Sequence, residues 1–325
     1  MNRLQYVSEL FENYMLAYKI EGKPIEVYEP LNYILALGGK KIRPKLLLFA
    51  NDMFGGNVNE ALPFAQGLEV FHNFSLLHDD IMDEADNRRK KPTAHKVYGI
   101  NNTLLSGDLM LTQAVYLMTK AKNANLTVVN EFLKTAIEVC EGQQFDMNFE
   151  NAENVNQSEY LNMIRLKTAV LFASGLKIGG MLANASETDC DNIYAFGEKL
   201  GMAFQLQDDM LDTYGNEADF GKKIGGDIAQ NKRTLLFINT YNNANENDRV
   251  ELAGLYTENL KINFKEKYDR VVHLFNKYNA KQQAIELQNT YYNQSLESLK
   301  NITSASKNHI AELEVLSADM MNRTV

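Results

Sequence analysis

The stretch that decides the fold lies at residues 71–83 and reads FHNFSLLHDDIMD. Its apolar residues recur at three and four positions, which is the period of an α-helix with one buried face. On such a helix the carboxylates of Asp79 and Asp83 lie four residues apart and point in one direction. Because two like charges in this arrangement repel each other, the pattern predicts that a cation binds between them.

The same pattern returns 129 residues later, where residues 200–212 read LGMAFQLQDDMLD. Here Asp208 and Asp212 form a second carboxylate pair on one helix face. Carboxylate oxygens on a rigid scaffold suit Mg²⁺, which keeps part of its water shell and also binds the oxygens of substrate phosphates. A single DDxxD motif is most simply read as a solvated acidic face. Two copies, each preceded by apolar helical turns, favour a metal site.

The rest of the chain predicts an all-α fold. All five prolines lie among the first 92 residues, so that residues 93–325 can form one helix after another without a proline break. Turn-forming residues interrupt the helical pattern at five places, and none of these is long enough to link two domains. They lie at residues 38–39, 55–57, 123–125, 151–158 and 242–248. We therefore predict a single domain over residues 1–325.

The charge and composition exclude several functional classes. The chain of 325 residues carries 33 Lys and Arg against 42 Asp and Glu, a net charge of −9. A negative net charge disfavours a protein that holds nucleic acid or an anionic membrane through its overall field. No stretch approaches the roughly 20 consecutive apolar residues of a membrane span, and the N-terminal residues lack the apolar core of a signal peptide. We expect neither nucleic acid binding nor stable membrane insertion.

The two cysteines, Cys140 and Cys190, indicate a reducing compartment. Two thiols cannot form a disulfide framework in a chain of this size, and neither belongs to a metal-ligand motif. The predicted location is therefore the cytoplasm. Cys140 lies in an apolar helical stretch just before Gly142, which predicts a buried and unreactive thiol.

Basic residues gather in four groups although the whole chain is acidic. Twelve of the 33 Lys and Arg lie at residues 40–45, 88–91, 222–223 and 232–233. Charge balancing on a helical surface would explain one such group, but it contributes little stability. Basic groups that follow both aspartate clusters indicate instead a site where Mg²⁺ bridges carboxylates to a diphosphate. Arg and Lys side chains would then neutralise the remaining diphosphate oxygens.

The motifs, taken in order, resemble those of the trans-isoprenyl diphosphate synthase family. The resemblance covers residues 38 to about 234 and departs mildly from the family at two places. Lys41 stands where arginine is common, and Lys90 stands where glycine usually follows the arginine pair. The motifs that carry the resemblance are GGKKIRP at 38–44, EVFH at 69–72, DDIMD at 79–83 followed by Arg88 and Arg89, GD at 107–108, GQQFD at 142–146, KT at 167–168, QLQDDMLD at 205–212, GK at 221–222 and NKRT at 231–234.

The resemblance implies the fold and the reaction. The fold is a bundle of helices, the isoprenoid synthase fold, around a deep central cavity. The reaction condenses isopentenyl diphosphate with an allylic diphosphate such as dimethylallyl, geranyl or farnesyl diphosphate. Three Mg²⁺ ions per active site and a homodimer are also implied. The implied metal ligands are Asp79, Asp80, Asp83, Asp208, Asp209 and Asp212.

The resemblance also implies roles for side chains around the two diphosphates. The catalytic residues that it assigns are Asp79, Asp83, Asp208, Lys167, Thr168 and Gln205. Arg88, Lys167, Lys222 and Lys232 match contacts to the allylic diphosphate. Lys40, Arg43, His72 and Arg89 match contacts to isopentenyl diphosphate. Thr168 and Gln143 match groups that place a negative dipole near the carbocation that forms when the allylic C–O bond breaks.

Product length depends, in this family, on the residues just before the first aspartate cluster. Ser75 is the fourth residue before Asp79, Phe74 the fifth and Phe71 the eighth. By helical rise, Phe74 lies about 7.5 Å and Phe71 about 12 Å from Asp79. These rings predict a cavity floor and a product of C15 to C20. Three alternatives remain open, namely a medium-chain or long-chain polyprenyl synthase, a non-catalytic partner subunit of one, and a terpene cyclase, against which the second DDxxD motif argues.

Overall fold

The computed structural model describes residues 2–150, 152, 155–215, 224–257 and 262–322. Helices form nearly all of the regular structure in these ranges, so the predicted all-α fold is confirmed. In chain order the helices are α1 (Arg3–Leu16), α2 (Tyr28–Ala36), α3 (Ile42–Met53), α4 (Val58–Met82), α5 (Ala94–Tyr98), α6 (Ile100–Met118), α7 (Leu126–Glu150), α8 (Gln157–Ile164), α9 (Val170–Leu182), α10 (Glu187–Tyr214), α11 (Gly226–Ala229), α12 (Leu235–Asn243), α13 (Glu246–Leu255), α14 (Phe264–Lys277), α15 (Ala280–Lys300) and α16 (Lys307–Met321).

Two short helical turns and two short strands complete the secondary structure of the described residues. A 3₁₀ turn occupies Ile25–Val27, and a π-helical turn at Arg165–Ala169 joins α8 to α9. Strands β1 (Asn87–Arg88) and β2 (Lys91–Pro92) form an antiparallel hairpin. The sequence did not predict this hairpin, because strands of two residues are too short to show an alternating pattern.

The described residues divide into two compact units. The first unit comprises the described residues within 1–136, 171–195 and 299–313. The second comprises the described residues within 137–170, 196–298 and 314–325. The expectation of a single domain over residues 1–325 stays a prediction.

In the first unit, α4 packs against α3 and α6. Phe64, Leu68 and Phe71 on α4 are completely buried. Burial of such a side chain contributes about 1.5–3 kcal/mol. Gly67 permits the close approach of α6, because a Cβ atom there would lie 2.6 Å from the carbonyl oxygen of Ala114. This packing fixes the direction of the long helix that leads to the first aspartate cluster.

In the second unit, one face of α10 belongs to a large apolar core. Met202, Leu206 and Met210 share this core with Leu236 of α12 and Phe275 of α14. Residues two positions after a core residue lie about 200° around the helix. The core face of α10 therefore turns the opposite face, which carries the second aspartate pair, away from the core.

The helix boundaries agree with the predicted breaks. Residues 38–39, 55–57 and 123–125 all fall between helices, and α12 and α13 are separated within residues 242–248. The fifth break, at residues 151–158, lies partly outside the described residues, and α8 begins at Gln157. No helix in the described ranges is long and apolar enough to cross a bilayer.

The prediction of a buried Cys140 is wrong. The Cys140 side chain is exposed, whereas that of Cys190 is buried, and both are free thiols. Cys140 follows the buried Val139 by one residue on α7, and adjacent helical positions are turned by about 100°. An apolar stretch of sequence therefore did not specify which of its residues faces the core.

Candidate active site

The first aspartate cluster lies at the C-terminal end of α4. The helix ends at Met82, one residue before the cluster does, so Asp83 follows the helix rather than lying within it. The amide of Asp83 still donates to the carbonyl oxygen of Asp79 at 2.8 Å. This bond keeps the helical spacing of the Asp79 and Asp83 carboxylates, both of which are half-buried.

Asp80, the middle residue of this cluster, points into the protein. Its side chain is buried, and Nε and Nη2 of Arg88 donate to its Oδ1 atom at 2.9 and 2.6 Å. Burial raises the pKa of the Asp80 carboxyl, although Arg88 acts against this rise. Nη2 of Arg88 also lies 3.6 Å from Oδ2 of Asp79. The structure thus brings Arg88 to the first cluster, whereas its contact with the allylic diphosphate stays a prediction.

The hairpin positions the two arginines that follow this cluster. Its turn is formed by Arg89 and Lys90, whose φ angles are 52° and 64°. Two left-handed residues at the centre of a two-residue turn define a type I′ hairpin. A Cβ atom on Gly39 would lie 2.7 Å from Nη2 of Arg89. The absent side chain at Gly39 therefore leaves room for Arg89 beside the loop that carries Lys40, which is exposed.

Arg43 and His72 contact each other in the first unit. Nη1 of Arg43 lies 3.2 Å from Nε2 of His72. Because a guanidinium only donates, Nε2 of His72 accepts and the ring proton lies on Nδ1. Burial, and then the charges of Arg43 and Arg89, hold the pKa of His72 well below its usual range. The ring therefore stays neutral and keeps Nδ1–H as a donor.

The predicted chain-length residues form an aromatic group on α4. Phe71 is completely buried, Phe74 is 8% exposed and Ser75 is half-buried. The ring centroids of Phe71 and Phe74 lie 5.5 Å apart, and that of Phe132 lies 5.0 Å from Phe71. Phe74 also contacts His78 at 4.8 Å. The rings are adjacent as the helical spacing requires, and their role as a floor stays a prediction.

The second aspartate cluster lies inside α10, as predicted, and lines a cavity of about 140 Å³ within the second unit. Asp208 and Asp212 are half-buried, whereas Asp209 is buried. Oδ2 of Asp212 accepts from the amide of Asp227 at 2.9 Å. The predicted residues that line the same cavity are Lys167, Thr168, Gln205, Asp208, Asp209, Asp212 and Lys232.

Two lysines reach this cavity from separate elements, and Asp146 holds them. Nζ of Lys167 lies 2.6 Å from Oδ2 of Asp146, and Nζ of Lys232 lies 3.9 Å from the same oxygen. Burial alone would raise the pKa of Asp146, but the two lysines lower it below its usual value. The sequence placed Asp146 in a motif without a role. Only the structure shows that Asp146 pairs with Lys167 and Lys232, and this pairing indicates its role in the site.

The π-helical turn presents Lys167 and Thr168 to the cavity. It packs against α7 at Gly142, where a Cβ atom would lie 2.3 Å from the backbone nitrogen of Lys167. Turns of this kind occur frequently at functional sites. Gln143 follows directly and is half-buried. Lys222, which the sequence assigns to the allylic diphosphate, lies outside the described residues.

Asp209 receives two hydrogen bonds from side chains. The hydroxyl of Tyr160 donates to Oδ2, and Nε2 of Gln205 donates to Oδ1 at 2.8 Å. Oε1 of Gln205 in turn accepts from the hydroxyl of Thr168 at 3.0 Å. Burial raises the pKa of Asp209 to about 7, against the effect of the two donors. The sequence did not single out Tyr160, which lies seven residues before Lys167 on the preceding helix.

Comparison with known proteins agrees with this fold and these motifs. The chain matches the family model of polyprenyl synthetase over residues 24–274. It is 39% identical to the geranylgeranyl diphosphate synthase of Methanosarcina mazei over 222 residues, or 67% of this chain and 68% of that one. It is 34% identical to the geranylgeranyl diphosphate synthase of Sulfolobus acidocaldarius over 306 residues, or 92% and 90% of the two chains.

A crystal structure of a geranylgeranyl pyrophosphate synthase is similar over 100% of both chains, with a TM-score of 0.93 and 36% identity. The helical fold is thus that of the isoprenoid synthases. The chain belongs to the polyprenyl synthetase family, whose members are prenyltransferases.

The family uses Mg²⁺, and the donor atoms of both clusters fit this ion. Within the described ranges, no three or more His, Cys, Asp or Glu side chains form a closed metal cage. Mg²⁺ ordinarily binds through one or two carboxylates and takes its other ligands from water and substrate phosphates. The half-buried pairs Asp79 with Asp83 and Asp208 with Asp212 supply oxygen donors of this kind.

Proposed function

We propose that this chain is a short-chain trans-prenyltransferase that condenses isopentenyl diphosphate with allylic diphosphates to a product of C15 to C20. The observation that carries the proposal is the recurrence of one arrangement in both units. Each unit has a pair of half-buried carboxylates and a cationic side chain held by a buried or half-buried aspartate, namely Arg88 on Asp80 and Lys167 on Asp146. The names of the relatives, which include geranylgeranyl and geranylfarnesyl diphosphate synthases, favour the C20 end of this range over C15.

The charged side chains bind and activate the allylic diphosphate. We assign Asp79, Asp83 and Asp208 to the binding of Mg²⁺, with three ions per active site. When bound, Mg²⁺ stabilises the negative charge that develops on the leaving diphosphate. Cationic side chains neutralise the remaining diphosphate oxygens, which favours breakage of the C–O bond. We assign this role to Arg88, Lys167, Lys222 and Lys232.

A second set of cations binds isopentenyl diphosphate. We assign Lys40, Arg43, His72 and Arg89 to this site. Arg43 and His72 are in contact, and Nδ1–H of the neutral His72 ring is a donor suited to a diphosphate oxygen.

Bond formation follows ionisation of the allylic substrate. The π electrons of isopentenyl diphosphate form the new C–C bond to the allylic carbocation, and a proton then leaves to the released diphosphate. The oxygens of Thr168, Gln143 and Gln205 place the negative ends of their dipoles near the positive charge. These groups bind more tightly to the cation than to the neutral substrate, which is the condition for faster turnover.

A homodimer is part of the proposal. On α6, Leu105 is 58% exposed and Tyr116 is 55% exposed, and the half-buried Leu109 lies between them. An exposed apolar row of this kind is typical of a surface that binds another protein. The cytoplasmic location also stays a proposal, which the free thiols of Cys140 and Cys190 support.

The test is a product assay. The purified chain is incubated with Mg²⁺, isopentenyl diphosphate and either dimethylallyl, geranyl or farnesyl diphosphate, and the dephosphorylated products are sized by mass. We expect condensation with at least one primer and a product no longer than C20. A product beyond C30 would establish a long-chain synthase. An absence of condensation with every primer would contradict the catalytic proposal and favour a partner subunit.

A further inference from the structure

A chain of hydrogen bonds joins Tyr160 to Thr168 through Asp209 and Gln205, and all four residues line the cavity of the second unit. We infer that Tyr160 is a positioning residue for the condensation, because through Asp209 it fixes the orientation of the Gln205 amide. The inference rests on the proposed function, in which Gln205 and Thr168 lie near the carbocation. Tyr160 is completely buried and also lines the cavity.

The first step concerns the carboxylate of Asp209. Tyr160 reaches it from α8, and Gln205 reaches it from the preceding turn of α10. The two donors bind different oxygens of the carboxylate. With both oxygens held, the plane of the Asp209 carboxylate cannot rotate without breaking a hydrogen bond in a buried place, where an unsatisfied polar group costs about 1–3 kcal/mol.

The second step concerns the amide of Gln205. An amide can face its neighbours in two ways, and only its partners decide between them. Both oxygens of Asp209 accept hydrogen bonds, Oδ2 from Tyr160 and Oδ1 from Gln205, so the NH₂ group of Gln205 faces Asp209. The carbonyl oxygen Oε1 then faces Thr168, whose hydroxyl donates to it at 3.0 Å. One orientation satisfies all three residues.

The third step concerns the charge that the cavity presents. The hydroxyl of Thr168 uses its only proton on Gln205, so its own oxygen keeps only lone pairs for other neighbours. Gln205 and Thr168 are both half-buried and line the same cavity. Fixed dipoles whose negative ends are set in advance stabilise a positive charge without reorganising when it forms. A reversed amide would instead present NH₂ protons to Thr168 and to the cation.

The hydroxyl of Tyr160 is therefore needed at the moment the cation forms and not for substrate binding. Loss of this hydroxyl frees Oδ2 of Asp209, so the carboxylate can rotate and the amide of Gln205, which donates to it, moves with it. The expected change is a lower kcat, with the KM values for both diphosphates unaltered. A purely structural role for Tyr160 would lower the stability of the fold and would not produce this separation.

The experiment compares Tyr160→Phe with a matched control. In Tyr278→Phe the deleted hydroxyl also donates to a carboxylate, that of Asp248 at 2.5 Å, but outside the cavity. We expect Tyr160→Phe to lower kcat on the order of tenfold or more, and to change each KM and the Mg²⁺ concentration for half activity less than about twofold. Tyr278→Phe should keep kcat within about twofold of the wild type.

A double-mutant cycle with Gln205→Met tests whether Tyr160 acts through Gln205. Met has nearly the shape of Gln and no amide, so in this background Tyr160→Phe should lower kcat by no more than about twofold. If Tyr160→Phe fails to fold, as judged by circular dichroism, Asp209→Asn takes its place in the same cycle. Asn keeps the shape but can turn either an NH₂ group or an oxygen toward Gln205.

Three results would overturn the inference while the wild type remains active. The first is an equal kcat for Tyr160→Phe and Tyr278→Phe. The second is a Tyr160→Phe enzyme whose kcat is unchanged and whose KM values or Mg²⁺ affinity alone are altered. The third is a double mutant in which Tyr160→Phe and Gln205→Met lower kcat independently of each other. An inactive wild type would instead overturn the proposed function, and the inference with it. The two failures are therefore distinguished by the wild-type assay alone.

Discussion

The middle aspartate of each cluster differs from its two neighbours. Asp80 is held by Arg88, and Asp209 is held by Tyr160 and Gln205. A residue next to a cavity-facing position is turned about 100° around the helix, which brings it toward the core. The DDxxD spacing predicted that the outer carboxylates of each cluster share one helix face, and in the structure all four are half-buried. The spacing could not show that the middle residues are buried, because Arg88 and Tyr160 reach them from other elements.

The first prediction concerns the outer carboxylates. Asp79→Ala should lower kcat at least about a thousandfold, because the stabilisation of charge on the leaving group is lost. Helical circular dichroism should stay near that of the wild type, since the substitution removes repulsion from Asp83. Asp208→Ala should act in the same way. The matched control is Asp86→Ala, which removes an exposed carboxylate of the first unit and should leave kcat unchanged. Retained activity in both Asp79→Ala and Asp208→Ala would exclude the metal assignment.

The second prediction separates the two diphosphate sites. Arg43→Ala should raise the KM for isopentenyl diphosphate about tenfold, because it removes a donor of charged hydrogen bonds beside His72. Lys232→Ala should instead raise the KM for the allylic substrate. Initial rates with each substrate varied in turn measure both KM values. The control is Lys265→Ala, at an exposed lysine, which should leave both KM values unchanged. An increase in the same KM for Arg43→Ala and Lys232→Ala would contradict the division into two sites.

At the scale of secondary structure, long helices were predictable and short irregular turns were not. The α4 and α10 helices follow from apolar spacing and from the turn residues at their ends. The hairpin at β1 and β2 and the π-helical turn carry no periodic signal. Counting by α-helical turns puts Tyr160 and Lys167, seven residues apart, on nearly the same face, and both line the cavity. Tyr160 was missed because no local pattern relates it to Asp209, which lies on another helix.

The third prediction concerns the hairpin turn. A non-glycine residue in the left-handed region costs about 1–2 kcal/mol of conformational strain. Glycine removes this strain but adds roughly 0.5–1 kcal/mol of backbone entropy cost on folding. Lys90→Gly should therefore raise the stability of the hairpin slightly. The measurement is hydrogen exchange at the amide of Thr93, which donates to the carbonyl oxygen of Asp86 at 3.1 Å.

The matched control for this turn is Lys91→Gly. Lys91 lies on β2, where glycine brings only its entropic cost, so exchange at Thr93 should become faster. Slower exchange in Lys91→Gly, or faster exchange in Lys90→Gly, would show that the φ angle of Lys90 does not limit the hairpin.

The fourth prediction concerns product length and the face of α4 before the first cluster. Phe74→Ala removes one ring from the pair with Phe71, so a growing prenyl chain should extend further and the product should shift toward C25 or longer. Products are sized as in the assay above. Phe64→Ala, an equal truncation of another buried ring on α4, should leave product length unchanged. An unchanged product in Phe74→Ala would move the floor to Phe71.

At the scale of the whole molecule, the sequence indicated the family through the order of its motifs, whereas long-range pairings required the structure. Asp146 holds two lysines that are distant in sequence from it and from each other. No local pattern relates such residues, because their proximity depends on how the helices of the second unit pack. The net charge of −9 likewise says nothing about where an anionic substrate is bound.

The fifth prediction concerns assembly. Leu105, Leu109 and Tyr116 lie at spacings of four and seven on α6, which places them on one helix face. If this face is the contact between two copies, Leu105→Asp buries a charge in an apolar contact and should weaken the dimer on the order of tenfold to a hundredfold. Val250→Asp on α13, at a position 68% exposed, should leave the dimer intact. Sedimentation velocity over a range of micromolar concentrations measures the dimer affinity of both variants. A monomeric wild type, or a Leu105→Asp dimer as tight as the wild type, would contradict the assignment of α6 to the interface.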